Sequence, residues 1–371
     1  MAKKALFLSL SCNWGVLPLE LVKVESADLN NFSHWLEANP KGEVFQSVEW
    51  ANLKSDTWQA EFYYIKRQEQ VIGACTIHLR RLPVINRQLL YLPRGPVFKT
   101  YDWETMQDFT EIIKAFAKSR GAAFVKCDPP VMVHEEDQAN LAQFGYVPLK
   151  TPGGFGGYEP AATIMLDMSG SQEEVFLRIP KKTRYNIRYS QKNGVTYGNV
   201  GSEGLDDFIK ILQDTSKRAN FFVRTRDHYG KILAAFQDRA QLTLAYYNGL
   251  AIAGGITLLF GDKAYAFTGG QLTEYKHLRA FYGLIWERML WAKSQGAQVF
   301  DLYGIPVDRS EKNRLHGLYA FKKSFGGEEY DYIGEYDLPI NKPLYQAWRL
   351  MSGAQASLAR MRRRFLNRLG R

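Results

Sequence analysis

The sequence predicts an α/β fold built from two copies of one unit, with a cleft between the copies. The chain has 371 residues, which is more than one hydrophobic core usually organises. A β-hairpin pattern occurs twice along it. Each hairpin leads to a helix that ends on nearly the same phrase, Lys-Ser-Xaa-Gly-Ala.

Each copy opens with the predicted hairpin. Residues 63–82 form two strand patterns around a polar turn at 68–70, and residues 245–260 form two more around Asn248-Gly249. Asn-Gly is the dipeptide that two-residue hairpin turns prefer, because both positions need a positive φ. Further extended segments follow each hairpin and lead into a helix.

The two predicted helices cover residues 103–119 and about 278–295. Gly121 and Gly296 each follow a basic last turn, and glycine ends helices because it enters the left-handed conformation without strain. A buried strand then precedes Pro129 in one copy and Pro306 in the other. Hairpin, strand, helix, strand is the order of an α/β acyltransferase unit. A chance match of a few small residues is the alternative.

The copies are separated by a glycine-rich, proline-bounded segment at residues 152–160. Such a composition predicts a linker, and the alternative is a mobile loop over the cleft. The segment lacks the Lys-Ser/Thr ending of a phosphate-binding loop. We place the first domain at residues 1–164 plus about 332–371, and the second at residues 165–331.

The net charge of +10 is concentrated at the C-terminus. No acidic residue follows Asp337, whereas eight lysines and arginines do. Leu358, Met361, Phe365 and Leu369 fall on one face of a predicted basic amphipathic helix, with arginines on the other. This helix docks on the body of the protein, contacts tRNA phosphates or lies on an anionic membrane surface.

Several kinds of chemistry are not indicated. The three cysteines have no paired spacing and the six histidines have no ligand spacing, so we expect no metal and a reducing compartment. The short apolar run after Lys4 does not match a secretory signal, and no stretch is long enough to span a bilayer. No nucleophile elbow or dinucleotide fingerprint occurs.

Acetyltransferases of this fold hold the pyrophosphate of coenzyme A on main-chain N–H groups at a helix start. Their motif, Q/R-x-x-G-x-G/A, is approached only by Arg279-Ala280-Phe281-Tyr282-Gly283. This run has one residue too many and aromatic side chains where small residues must admit the phosphates. We therefore predict a different activated acyl donor and no cofactor.

A family resemblance rests on several motifs in order. The phrase KKTRYNIR at residues 181–188, followed by KNGV at 192–195, resembles the signature of the FemABX family of peptidoglycan-bridge aminoacyltransferases. Residues 45–54, PRGP at 93–96 and FKKSFGG at 321–327 are similar to further blocks of that family. The resemblance implies two GNAT-like domains. No sustained heptads are present, so the chain resembles the compact members that lack a coiled-coil arm.

The resemblance also implies a reaction. The aminoacyl ester of a charged tRNA is attacked by the side-chain amine of a cell-wall stem peptide, carried by UDP-MurNAc-pentapeptide or by lipid II. We expect a cytoplasmic monomer, and a peripheral position at the inner face of the plasma membrane, contacted by the arginine-rich helix, is left open. The alternatives are a coenzyme A-dependent N-acyltransferase and a non-catalytic protein that binds RNA or a membrane surface.

The resemblance carries over a set of catalytic residues. Lys322 takes the position that contacts the tRNA ester and stabilises the oxyanion, and Phe321 would stack against a nucleotide or exclude water. Asp128 is the candidate proton acceptor or amine anchor. A surface lysine, a core phenylalanine and a turn-capping aspartate are the plain alternatives.

Further positions match substrate contacts. Lys54 and Arg218 match family positions that grip the acceptor's phosphates, with Tyr265 lining the acceptor groove and Phe222 where compact members have a tyrosine. Separately, the i, i+4, i+8 spacing of one helix predicts a basic stripe for tRNA phosphates, formed by Arg184, Arg188 and Lys192. Each of these residues has an ordinary surface or core role as its alternative.

Overall fold

The computed structural model describes residues 18–83, 85–149, 154–219 and 222–352. The predicted C-terminal amphipathic helix lies outside these residues. The first half contains β1 (Leu19–Lys23), α1 (Leu29–Glu37), α2 (Val48–Leu53), β2 (Gln59–Arg67), β3 (Gln70–Leu82), β4 (Arg87–Leu92), β5 (Val97–Phe98), α3 (Trp103–Ser119), β6 (Ala122–Cys127), α4 (Glu135–Gln143) and β7 (Val147–Pro148).

The second half begins with a strand of the other sheet. Its elements are β8 (Ala162–Asp167), α5 (Gln172–Arg178), α6 (Lys181–Lys192), β9 (Thr196–Val200), α7 (Leu205–Ala219), α8 (Arg226–Phe236), β10 (Ala240–Tyr247), β11 (Leu250–Phe260), β12 (Lys263–Gln271), α9 (Ala280–Ser294), β13 (Val299–Asp301), α10 (His316–Lys323) and β14 (Glu328–Asp331). The chain then returns to the first sheet as β15 (Tyr336–Pro339).

The two sheets repeat one topology. The first has the order β1-β2-β3-β4-β6-β15-β7 with β5 against β3, and the second β14-β8-β13-β12-β11-β10-β9. In the first, α3 leads to β6, which pairs parallel to β4. In the second, α9 leads to β13, which pairs parallel to β12. The predicted α/β fold of two related units is confirmed.

Turn and cap chemistry explains why the predicted elements form. Both Asn248 and Gly249 have positive φ, 49° and 77°, as a tight hairpin requires. Gly121 and Gly296 have φ of 64° and 90° just beyond their helices. The second helix starts at Ala280, later than expected, because Arg279 before it is left-handed with φ 57°.

A shared hydrophobic core joins the halves. It includes Phe45 and Trp50 from the first half and Phe208 and Tyr265 from the second, while each half also has a core of its own. Chain crossings between the sheets fall between β7 and β8 and between β14 and β15. The site described below lies at this junction.

Gly283 in α9 is required by close packing, and its replacement is a test of the fold. An added Cβ would overlap the hydroxyl of Tyr197, which bonds the Ser190 hydroxyl at 2.8 Å. We expect Gly283→Ala to lower the free energy of unfolding by about 1–3 kcal/mol, as overpacking does. Denaturant unfolding measures the loss.

Gly317→Ala is the matched control, because nothing lies within 4 Å of its added Cβ in α10. That variant should be neutral or stabilising, since alanine favours a helix over glycine. Equal unfolding midpoints for Gly283→Ala and the parent would contradict the packing.

Candidate active site

Lys322 lies in the last turn of α10 and faces the loop after β13. Its Nζ donates to the main-chain oxygen of Gly304 at 2.7 Å and to that of Tyr303. Burial lowers the pKa of Lys322 to about 7, against the opposing charge of Asp301 and with help from nearby Arg288. Two of the three N–H groups of the ammonium therefore have acceptors, and the third is available to donate to an anion.

Tyr303 connects this lysine to a carboxylate. Its hydroxyl donates to Oε2 of Glu159 at 2.8 Å, and its own N–H donates to Oδ1 of Asp301 at 2.7 Å. The residue is left-handed, with φ 56°, an unusual conformation for a bulky side chain that concentrates at functional sites. Its ring stacks on Phe45 of the first half, with centroids 6.0 Å apart.

Glu159 and Asp128 are the carboxylates at this junction. Burial raises the pKa of Asp128 to about 8, opposed by Arg94 and reinforced by Glu159 and Glu335. Burial likewise raises the pKa of Glu159 to about 7, while the Tyr303 hydroxyl, Arg94 and Lys54 oppose the rise. Both groups therefore titrate in the neutral range in which proton transfer is efficient.

Asp128 is only 3% exposed, and its carboxylate is paired with Arg94. The Arg94 N–H donates to Oδ1 at 2.9 Å, and the guanidinium lies 3.9 Å from Oδ2. The same guanidinium donates to the Pro160 oxygen and lies 3.8 Å from the Tyr332 ring centroid. Asp128 thereby fixes Arg94, which in turn anchors the segment that carries Glu159.

The glycine-rich segment predicted as a linker contributes to the site. It connects the two sheets, and its described part, residues 154–160, accepts hydrogen bonds from both halves: Pro160 from Arg94 and Glu159 from Tyr303. The N–H of Tyr158 donates to Oε2 of Glu335 at 3.2 Å. This contact and that of Arg94 position the Glu159 side chain between the halves.

Lys54 ends α2 on the same side of the junction. Its Nζ lies 4.6 Å from the Trp50 ring centroid. Burial lowers its pKa, Glu159 opposes that effect and Arg224 adds to it. The charges of Lys54 of the first half and Arg224 of the second are therefore close enough to influence each other.

Arg218 and Phe222 lie further along the second half. Nη1 of Arg218 donates to Oγ1 of Thr273 at 2.8 Å. Phe222 is 75% exposed, with the Arg224 guanidinium 5.6 Å from its ring centroid. Of the two arginines, Arg224 is the one whose charge acts on Lys54.

Tyr265 does not line a groove in this structure. It is 1% exposed, and its hydroxyl donates to Oε2 of Glu43 at 3.1 Å. Lys263 donates to the other oxygen of Glu43 at 2.8 Å. This is a correction to the predicted substrate contact: the strand buries Tyr265 in the core that joins the halves.

Phe321 belongs to an aromatic cluster beside Lys322. Its ring centroid lies 5.3 Å from that of Phe281, 5.0 Å from that of Tyr282 and 5.4 Å from that of Phe325. The cluster shields one side of Lys322 from water, which strengthens any electrostatic interaction made there.

The predicted basic stripe lies on α6, where the Arg188 guanidinium is 5.0 Å from the ring centroid of Phe176 in α5. Arg188 and Lys192 are exposed and Arg184 is half-buried. Thr183 on the inner face donates through Oγ1 to the main-chain oxygen of Ser324, two residues after Lys322. The stripe is therefore held in a fixed position relative to Lys322.

Gly283 ends the run that approaches a coenzyme A motif, and its lack of a side chain admits the Tyr197 side chain. Within residues 18–83, 85–149, 154–219 and 222–352, no group of three or more potential ligands could hold a metal ion. No helix in those ranges is long and apolar enough to cross a bilayer.

Sequence reasoning missed Glu159, Tyr303, Arg94 and Arg224. The signals were weak: Glu159 precedes a proline in an apparent linker, and Tyr303 follows a short strand. Arg94 stands inside the PRGP block, where only a motif match drew attention to it. Their roles depend on contacts between residues distant in sequence.

Solved structures show the same architecture. The crystal structure of FemX matches with a TM-score of 0.78 at 21% identity, over 88% of this chain and 99% of that one. A tandem GNAT protein from the clavulanic acid biosynthesis pathway matches with 0.53 at 11% identity, over 87% and 99%. The twin sheets with a site at their junction define the class of tandem GNAT-like folds.

Sequence relatives narrow this class. Two proteins named lipid II:glycine glycyltransferase, from Staphylococcus haemolyticus and Staphylococcus aureus, are each 22% identical over 87% of this chain and 94% of their own length. The FemAB family model matches residues 28–249 and 246–352. The chain belongs to the FemAB family, and its enzyme class is aminoacyltransferase.

Proposed function

We propose that this enzyme moves an amino acid from aminoacyl-tRNA to the stem-peptide amine of a peptidoglycan precursor. The names of the relatives support the acceptor class. The observation that carries the proposal is Lys322, a half-buried ammonium with a free N–H that Tyr303 connects to Glu159. The aminoacyl-tRNA serves as co-substrate, and no cofactor is needed because the ester is already activated.

The geometry suggests the following chemistry. The acceptor nitrogen attacks the ester carbonyl, so a C–N bond forms and the carbonyl oxygen becomes an oxyanion. Lys322 stabilises that charge, and a fixed cation in a water-poor site does so strongly. The C–O bond to the ribose then breaks, and the terminal nucleotide leaves as an alcohol.

We place the proton acceptor at Glu159 rather than at Asp128. Asp128 is occupied by Arg94, and its pKa of about 8 leaves it mostly protonated at neutral pH. Glu159, with a pKa of about 7, accepts the proton that the amine loses and returns it to the ribose oxygen. Proton count and charge are balanced over the cycle.

Lys54 and Arg224 supply a cationic site for the acceptor. Both UDP-MurNAc-pentapeptide and lipid II carry a pyrophosphate, which ammonium and guanidinium groups bind. Arg218 and exposed Phe222 lie beyond this pair on the second half. We propose that the reaction takes place on the cytoplasmic side of the membrane, where charged tRNA is present.

The direct test is mass spectrometry of products. The enzyme is incubated with a mixed aminoacyl-tRNA pool and, in separate reactions, with UDP-MurNAc-pentapeptide or lipid II. One mass increment identifies both the amino acid and the acceptor. No increment with either acceptor, together with acetylation of an amine from acetyl-coenzyme A, would overturn the proposal.

Tyr303→Phe tests the connection to Glu159. The lost hydroxyl favours the ionised carboxylate, so its removal raises the pKa of Glu159 further. We expect the rising limb of the kcat/KM profile to move to higher pH, so that activity at neutral pH falls. Tyr319→Phe, which removes a hydroxyl bound to Glu329 at 2.9 Å, is the control and should leave the profile unchanged. A rising limb at the parent's position in Tyr303→Phe would refute the connection.

A further inference from the structure

The outer face of α6 and the start of α9 form a cationic surface without acidic partners. Its six cations are Lys181, Lys182, Arg184, Arg188, Lys192 and Arg279. Every salt bridge found in the described ranges involves other cations, so no carboxylate there lies within 4 Å of these six. Like charges held together without counter-charges favour an anionic partner.

Two tyrosines lie among these cations. Tyr185 is 57% exposed, and its ring centroid lies 6.0 Å from that of half-buried Tyr189. The Arg279 guanidinium lies 4.8 Å from the Tyr189 centroid and 5.6 Å from the Tyr185 centroid. It also donates to Oδ1 of Asn186, which fixes it over the rings. We call Tyr185, Tyr189 and Arg279 the tyrosine–arginine platform.

The platform adjoins the aromatic cluster beside Lys322. Phe281 follows Arg279 by two residues, and its ring packs on Phe321. Thr183, two residues before Tyr185, bonds the main chain at Ser324. A strand that crosses the platform can therefore continue along α9 to Lys322.

We infer that the platform stacks unpaired nucleotides at the 3′ end of the tRNA, while Arg184, Arg188 and Lys192 hold its phosphates. This inference rests on the proposed function and adds a nucleobase site to it. Aromatic rings beside cations are how proteins bind single-stranded nucleic acid, since every base has a face that can stack. Arginine adds a planar cation over the same rings.

A membrane surface fits the same face less well. Helices that lie on bilayers expose a broad apolar face of leucine, phenylalanine or tryptophan. In α6 the aliphatic residue Ile187 is buried against the core, and the outer face presents charged groups and tyrosine rings.

The test measures binding of an acceptor-stem RNA hairpin with and without its unpaired 3′ nucleotides, by fluorescence anisotropy. The double variant Tyr185→Ala, Tyr189→Ala should bind the tailed RNA on the order of ten- to one-hundred-fold more weakly and the blunt RNA as the parent does. Tyr185→Phe with Tyr189→Phe keeps both rings and should keep the affinity. If the double alanine variant does not fold, Tyr185→Ala alone serves, because that side chain is exposed.

Arg188→Gln tests the phosphate contacts in the same assay. This variant should bind both RNAs more weakly and with a smaller salt dependence, because each phosphate contact releases counterions. Lys210→Gln, which removes a cation paired with Asp207 on α7, is the matched control. It should change neither the affinity for RNA nor its salt dependence.

Two outcomes of the binding assays would overturn the inference. One is equal loss, or no loss, for tailed and blunt RNA in the alanine variants. The other is tyrosine-dependent binding to phosphatidylglycerol vesicles with unchanged RNA binding. The proposed function fails separately: no transfer from any aminoacyl-tRNA would refute it even where the tyrosines govern RNA binding. If the alanine variants transferred the amino acid with the parent's KM for tRNA, the role of the platform would be refuted and the proposed function would stand.

Discussion

Lys322→Met is expected to lower kcat by about 10²–10³, the usual cost of removing one group that stabilises an oxyanion. Methionine approximates the length of the lysine stem but carries no charge, so the tetrahedral intermediate loses its cation. The acceptor's affinity should change little, because its proposed binding site is at Lys54 and Arg224. Single-turnover transfer from aminoacyl-tRNA measures the effect on the chemical step.

Lys323→Met is the control for this variant. Lys323 is the adjacent lysine, is exposed and pairs with Glu329 at 2.5 Å, outside the site. Its loss removes the same charge from the same helix and should leave kcat unchanged. If Lys322→Met kept the parent's turnover and unfolding midpoint, Lys322 would have no role in the mechanism.

Glu159→Gln is expected to reduce kcat/KM by about 10²–10⁴, the contribution of a positioned general base. The amide keeps a hydrogen-bond acceptor for Tyr303 but cannot take a proton. In the parent, activity should rise as Glu159 ionises through a pKa of about 7. It should fall at higher pH as Lys322, also near 7, loses its charge.

The pH profile of kcat/KM for the parent enzyme should therefore be bell-shaped, with its maximum near neutral pH. Because Glu159 and Lys322 titrate over the same range, its two limbs report apparent pKa values of the pair. In Glu159→Gln the rising limb should disappear and the falling limb remain. Asp128→Asn decides between the two carboxylates. If Asp128 were the acceptor, its variant would lose the rising limb and Glu159→Gln would keep it.

Much of the fold was predictable because its signals are local. Asn248-Gly249 fixes a hairpin turn, Gly121 and Gly296 end helices, and Ser171 caps α5 through Glu174. Each depends on residues a few positions apart. The repetition of these signals predicted two related units, and the sheets repeat one topology.

The candidate site was predictable only where a motif marked it. Lys322 and Phe321 stand in a recognisable phrase; the structure places Lys322 against the main chain at Gly304 and Phe321 in the adjacent aromatic cluster. For Tyr265 the structure shows the core role that stood as the alternative to a groove contact. Its hydroxyl bonds Glu43, a residue more than two hundred positions earlier.

The sequence by itself determined the repeated unit, its helix ends and the basic stripe on α6, because turns, caps and helical spacing depend on neighbouring residues. Only the tertiary structure brought Glu159 and Tyr303 together across 144 positions and placed Asp128 against Arg94. Burial at the junction also moved the pKa values of Lys322 and Glu159 to about 7. Desolvation depends on everything that packs around a group, and no local stretch of sequence specifies it.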